Sequence, residues 1–109
     1  KRYFATEQLR YSRAEATRQI QRVALCGGAG AFLWPEAHRA GADILITGEA
    51  KYNDYFDCES APILATVGHY ESERISAQLF TELLSQKIAT FAVYQSEIDS
   101  NPINSVIAL

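Results

Sequence analysis

Ile63-Leu64-Ala65-Thr66-Val67-Gly68-His69-Tyr70-Glu71-Ser72-Glu73 is the stretch on which the fold turns. Residues 63 to 67, opening on the apolar Ile63-Leu64-Ala65, read as a strand, Gly68 makes a corner, and a helical rhythm follows. His69 and Glu73 are four residues apart, which places both side chains on one face of a helix. A neutral imidazole and a carboxylate converging there make half of a transition-metal site. The plainer reading uses no metal: a glutamate is favourable in a first helical turn, and a histidine at a strand end is often simply hydrogen-bonded.

Working outward, the helical rhythm runs from Glu71 to Gln86, with apolar residues at Ile75, Leu79, Phe80, Leu83 and Leu84. Upstream, Gln21 to Cys26 reads as a buried strand ended by Gly27-Gly28-Ala29-Gly30, and Asp43 to Thr47 as a second strand closed by Gly48. Phe32 to Ala40 reads as a short helix with Pro35 in its first turn, where the missing N–H costs nothing. Lys51 to Asp57 reads as helical or irregular, with Tyr52, Tyr55 and Phe56 sharing an inner face. Thr90 to Tyr94 is β-branched and aromatic and reads as a fourth strand. Residues 7 to 13 add a strand, hairpin-paired to the one entering Val23. The expected fold is therefore α/β: a mixed, mostly parallel sheet of about four to five strands with helices on both faces, in one domain over residues 1–109.

Composition excludes several classes. Apolar residues make up 48% and charged residues 21%, ordinary values for a folded domain. No run approaches a membrane span and nothing resembles a signal peptide. Cys26 and Cys58 lack Cys-x-x-Cys spacing and read as reduced thiols, which points to the cytoplasm. Residues 1 to 22 carry six Lys/Arg against two Glu, while the rest carries four against eleven Asp/Glu. Arg10, Arg13, Arg18 and Arg22 read as the solvent face of a hairpin, and an acidic body repels nucleic acid. It suits a cation better.

Three strand ends carry glycine or polar punctuation: Gly27 to Gly30, Thr47 to Lys51 and Gly68 to Glu73. In an open α/β sheet they would line one crevice outside the carboxyl ends of the strands. The glycine run could cradle an anion, but it has neither the P-loop ending nor the Gly-x-Gly-x-x-Gly spacing, so a tight turn is the better reading. Thr47 to Asp54 gathers a hydroxyl, carboxylates, an amine and an amide that could orient a substrate or support a metal, or could simply cap a helix. His38 reads as exposed on the polar side of its helix.

Arg22-Val-Ala-Leu-Cys-Gly-Gly-Ala-Gly-Ala-Phe-Leu33, Gly41 to Glu49, Lys51-Tyr52, Gly68 to Glu73 and Asn101-Pro-Ile103 together resemble the C-terminal half of the Nif-three-like family, the GTP cyclohydrolase type 2 homologues. The resemblance runs in order over roughly residues 20 to 104, and the absence of methionine agrees with a C-terminal piece. It implies a centre of two divalent metal ions, zinc or iron, with His69 and Glu73 as ligands and the remaining ligands supplied by an N-terminal half. On that reading this chain alone is metal-poor. It further implies a homo-oligomer acting on an unidentified small molecule, with Glu49 and Lys51 positioning substrate or relaying protons. Asn53 stands where close relatives often carry a histidine after Lys-Tyr, and an amide cannot do acid–base work near neutral pH. Three functions are weighed: a metal-dependent hydrolase first, a non-enzymatic metal-binding scaffold or regulatory protein second, and a nucleotide-binding domain last.

Overall fold

The computed structural model describes the chain except residues 1, 2, 7, 16, 59 and 107–109. It divides into two compact units, Lys1–Arg74 and Ile75–Leu109.

The first unit is built on a four-stranded sheet in the order β1-β4-β3-β2, with β1 at Arg10–Tyr11, β2 at Val23–Cys26, β3 at Ile44–Thr47 and β4 at Ile63–Thr66. Strands β2, β3 and β4 are parallel and in step: Ala24, Leu45 and Leu64 lie side by side across the sheet. The expected mixed, mostly parallel α/β sheet is present. Its connections follow from local chemistry. After β2 a single 3-10 turn, Ala31–Leu33, leads into helix α1, Trp34–Arg39, with Pro35 in the first turn as its fixed φ requires. Helix α2, Tyr52–Asp57, starts where the Asp54 carboxylate accepts the Lys51 backbone N–H at 2.7 Å.

The core holds Ala37, Ala42, Leu45, Cys58 and Leu64, with Ala24, Ala31, Trp34, Ala50 and Tyr55 packed against it. Every residue of β4 is buried, so its apolar run is the driving segment of the sheet. Leu45 and Leu64 each contribute roughly 1.5–3 kcal/mol by leaving water. Polar groups at the core margin find partners. The Trp34 indole donates to the Pro62 carbonyl at 2.8 Å, and the Tyr55 hydroxyl meets Thr66 Oγ1 at 2.7 Å. Both cysteines are free thiols. Burial, aided by the nearby Asp54 and Asp57 charges, pushes the Cys58 thiol up to about 11.

Several expectations are corrected. The early strand pairs antiparallel with β4, not with β2. Ser12 explains why: its N–H donates to the Leu64 carbonyl at 2.8 Å and its hydroxyl accepts the Leu64 N–H at 3.0 Å, clamping the segment to the buried strand. Glu7 lies outside the described residues. Strand β2 is not buried, because it is the last strand of the sheet; Val23 and Leu25 are 50% and 67% exposed. Of the three aromatics of α2 only Tyr55 faces inward. Tyr52 and Phe56 are exposed and meet each other edge-on, with centroids 5.2 Å apart. His38 is exposed as expected, yet its ring stacks on Trp34 and its Nδ1 contacts the Ala61 carbonyl at 2.6 Å.

The long helix is two helices: α3 at His69–Glu73 and α4 at Ile75–Lys87, with Arg74 between them. Neither proline nor glycine marks that break in the sequence. Helix α4 is the regular element of the second unit, and its Leu79 and Phe80 are exposed. Residues 90–94 do not form a strand. β-branched and aromatic content shows that a segment suits a pleated surface, but a strand exists only through ladder partners. Among the described residues of that unit there is no strand for residues 90–94 to pair with.

Candidate metal centre

The carboxyl ends of β2, β3 and β4 meet, as the parallel topology demands, and they are tied together by backbone as much as by side chains. The Gly28 carbonyl accepts three hydrogen bonds, from Gly48 N–H at 2.9 Å, Glu49 N–H at 3.1 Å and the Thr47 hydroxyl at 3.0 Å. Gly68 N–H in turn donates to the Gly48 carbonyl at 2.9 Å. Two hydroxyls complete the knot. Thr47 Oγ1, buried, accepts the Gly30 N–H at 2.8 Å, and Ser72 Oγ accepts the Gly28 N–H at 2.9 Å while donating to the His69 carbonyl at 2.8 Å.

Glycine is required at two of these points for identifiable reasons. Gly28 has φ +64°, the left-handed region that side chains strain to enter, and a Cβ there would collide with the Glu73 carboxylate. At Gly48 the obstacle is proximity: a Cβ would lie 2.6 Å from the Gly28 carbonyl oxygen and 3.0 Å from the His69 Cα. The glycine run is therefore a turn that lets three loops close-pack. The Gly28 and Gly30 N–H groups are bonded to Ser72 and Thr47, so these two donors serve the fold rather than an anion.

His69 stands on this platform as the first residue of α3. Its Nε2 lies 3.2 Å from Glu73 Oε2 and its Nδ1 lies 3.1 Å from Glu49 Oε1. The i, i+4 spacing brings His69 and Glu73 together as expected, and the β3 loop adds Glu49 on the opposite side of the ring. Two ligands of one tetrahedral zinc ion, each bound at about 2.0–2.1 Å, stand roughly 3.3 Å apart. The observed His69–Glu73 separation fits that requirement, and in a metal-free protein it equally suits a hydrogen bond. Among the described residues no group of three or more His, Cys, Asp or Glu side chains is arranged to hold a metal. The donor set present is thus a pair, with both side chains about half exposed.

The paired carboxylates hold the His69 imidazolium above its ordinary value of 6.5. The Glu49 hydrogen bond is the largest cause, opposed by partial desolvation and reinforced by the Glu73 and Glu49 charges. A raised folded-state value means the stabilisation is fully present below about pH 6.5, the unfolded reference, and is lost as pH rises through the folded value. An NMR titration of the His69 ring should give a midpoint above the reference, falling in Glu49→Gln. A midpoint at or below the reference would contradict the geometry.

Lys51 is exposed at the start of α2, and none of the ion pairs among the described residues involves its amine. Asn53 is also exposed, on the first turn of the same helix. The sequence does not single out the Ser72 hydroxyl, and it shows the Thr47 hydroxyl only as part of a polar cluster, not as a tie to the glycine turn. Thr47→Val keeps the shape but strands the buried Gly30 N–H without its partner, at a cost of about 1–3 kcal/mol. Urea unfolding should show it as a lower midpoint at unchanged slope, and an unchanged midpoint would show that the hydroxyl is dispensable.

Comparison with known proteins agrees with this architecture. Residues 1–102 match the Duf34/NIF3 (NGG1p interacting factor 3) family. The chain is 37% identical over 91 residues to a GTP cyclohydrolase 1 type 2 homolog of Lactococcus lactis, covering 79% of this chain and 34% of that one. It is 33% identical to the homolog of the same name from Streptococcus pneumoniae, covering 97% of this chain and 43% of that one. The chain thus spans less than half the length of these relatives. Among solved structures, Staphylococcus aureus protein SA1388 superposes with a TM-score of 0.83 at 25% identity, over 94% of this chain and 30% of that one. A Bacillus cereus protein related to NIF3 superposes with a TM-score of 0.71 at 20% identity, over 94% and 29%, a likeness of fold. The chain belongs to the Duf34/NIF3 family.

Proposed function

We propose that this chain supplies two ligands, His69 Nε2 and Glu73, to a divalent-metal centre in a metal-dependent hydrolase. The observation that carries the reading is the 3.2 Å convergence of an imidazole nitrogen and a carboxylate oxygen at the carboxyl edge of a parallel sheet. A divalent ion held there would lower the pKa of a bound water and polarise a substrate carbonyl, imine or phosphoryl oxygen. The chain's own residues do the rest. The Gly28–Thr47–Ser72 knot fixes the backbone under His69, and the half-exposed carboxylates keep the site open to a small molecule. Glu49 and Lys51 lie on the loop and helix start that would border the substrate.

Zinc sites are generally four-coordinate, so two donors leave the shell incomplete. The relatives are more than twice as long as the matched stretch, and we assign the remaining ligands, and a second ion, to the portion outside it. Oligomer formation and a cytoplasmic setting belong to the same proposal. Among the described residues no helix is long and apolar enough to cross a membrane.

The test is a zinc titration of this chain by chelator competition. Weak binding, eliminated by His69→Ala, is expected. Tight stoichiometric binding that survives His69→Ala would overturn the assignment. The scaffold reading draws on one observation, the exposed Leu79 and Phe80 of α4. It predicts partner binding that persists after metal removal, with no turnover of any substrate.

A further inference from the structure

Histidine ligands are used through one nitrogen, and which one is free depends on what the other nitrogen bonds. For His69 the two nitrogens meet different elements. Nε2 faces Glu73 on its own helix, whereas Nδ1 faces Glu49, which arrives from the β3 loop. That loop is not free to wander. Glu49 N–H and Gly48 N–H both donate to the Gly28 carbonyl, Gly68 N–H donates to the Gly48 carbonyl, and Gly48 packs so closely on His69 that even a methyl group would intrude. The Glu49 backbone is therefore set at a fixed offset from the ring. Glu73 reaches the ring from one turn further along α3 and also lies over Gly28.

We propose that Glu49 is a positioning residue: its Oε1 accepts the Nδ1–H of His69, holds the neutral ring in that tautomer, and leaves the Nε2 lone pair available to a divalent ion shared with Glu73. An unbonded imidazole has no such restraint, so without Glu49 the ring would lose both its orientation and the protonation pattern that frees Nε2. This role differs from substrate contact or proton relay, because Glu49 acts only through His69. It rests on the metal reading for its purpose, but the tautomer itself is a property of the metal-free protein.

Long-range nitrogen–proton NMR of the His69 ring, recorded without metal at a pH above its titration, tests the proposal directly. Wild type should carry the proton on Nδ1. Glu49→Leu should shift it to Nε2, while Glu49→Gln, which keeps an acceptor oxygen, should retain the Nδ1–H form. Because Glu73 competes for a proton on Nε2, the same measurement in Glu73→Ala isolates Glu49 and should again report Nδ1–H. Zinc affinity should fall about 10–100-fold in Glu49→Leu, the usual loss when a partner behind a ligating histidine is removed, and Glu49→Gln should restore part of it. A wild-type ring protonated on Nε2, or a tautomer that ignores Glu49→Leu, overturns the proposal. Zinc bound equally well by wild type and Glu49→Leu overturns it while leaving the metal reading intact. A Glu49-dependent tautomer in a protein that binds no zinc upholds the positioning role and refutes the metal reading instead.

Discussion

His69→Ala is expected to abolish divalent-metal binding at this site, lowering zinc affinity by more than about 100-fold, beyond the 10–100-fold loss typical when only a supporting partner is removed. The size follows from the donor count. With a pair of donors converging at 3.2 Å, removing one leaves a single half-exposed carboxylate, which is no better than any surface glutamate. The fold should survive, because His69 is half exposed and none of the core packing rests on its ring. Chelator competition, alongside a thermal melt, separates the two effects. Retained zinc affinity in a folded His69→Ala protein would remove His69 from the centre.

Gly48→Ala should have the largest effect on stability, about 3 kcal/mol, at the upper end of what overpacking usually costs. The new methyl group would sit 2.6 Å from both the Gly28 carbonyl oxygen and the Ser72 hydroxyl. A flexible side chain could swing away, but the Gly28 carbonyl is held by three hydrogen bonds and cannot retreat without releasing Gly48, Glu49 and Thr47 together. Any relief therefore moves the loop carrying Glu49 and the start of α3 at the same time. Urea unfolding should show a lower midpoint, and the NMR signature of the His69 ring should change in the folded protein. A Gly48→Ala protein of wild-type stability would mean that the three loops are not packed as described.

How much of this was legible in the sequence depends on the range over which the physics acts. Ile63 to Thr66 can be read as a strand because burial on both faces leaves three consecutive apolar residues, Ile63 to Ala65, before Thr66. Val23 to Cys26 looked the same and is an exposed edge, since composition reports what a strand could bury and not where it stands in the sheet. The pairing of residues 10–11 with β4 was hidden because it is decided by one serine, Ser12, whose partner lies 52 residues away. Residues 90–94 show the converse: strand-like side chains without a ladder to join.

The site followed the same rule. His69 and Glu73 were readable because helical geometry converts a spacing of four into contact. Glu49 was visible only as part of a polar cluster, and its relation to Nδ1 required the register of two loops. Ser72 and Thr47 act on glycine backbone 44 and 17 residues away. No local pattern announces such a bond.

The central claim is that His69 Nε2 and Glu73 bind a divalent ion, and the most direct measurement is a zinc titration followed at the His69 ring nitrogens. Nε2 should shift with added zinc while Nδ1 keeps its proton, and Glu73→Ala should weaken the response. Zinc that binds while both His69 nitrogens stay unmoved, or that shifts Nδ1 alone, would contradict it.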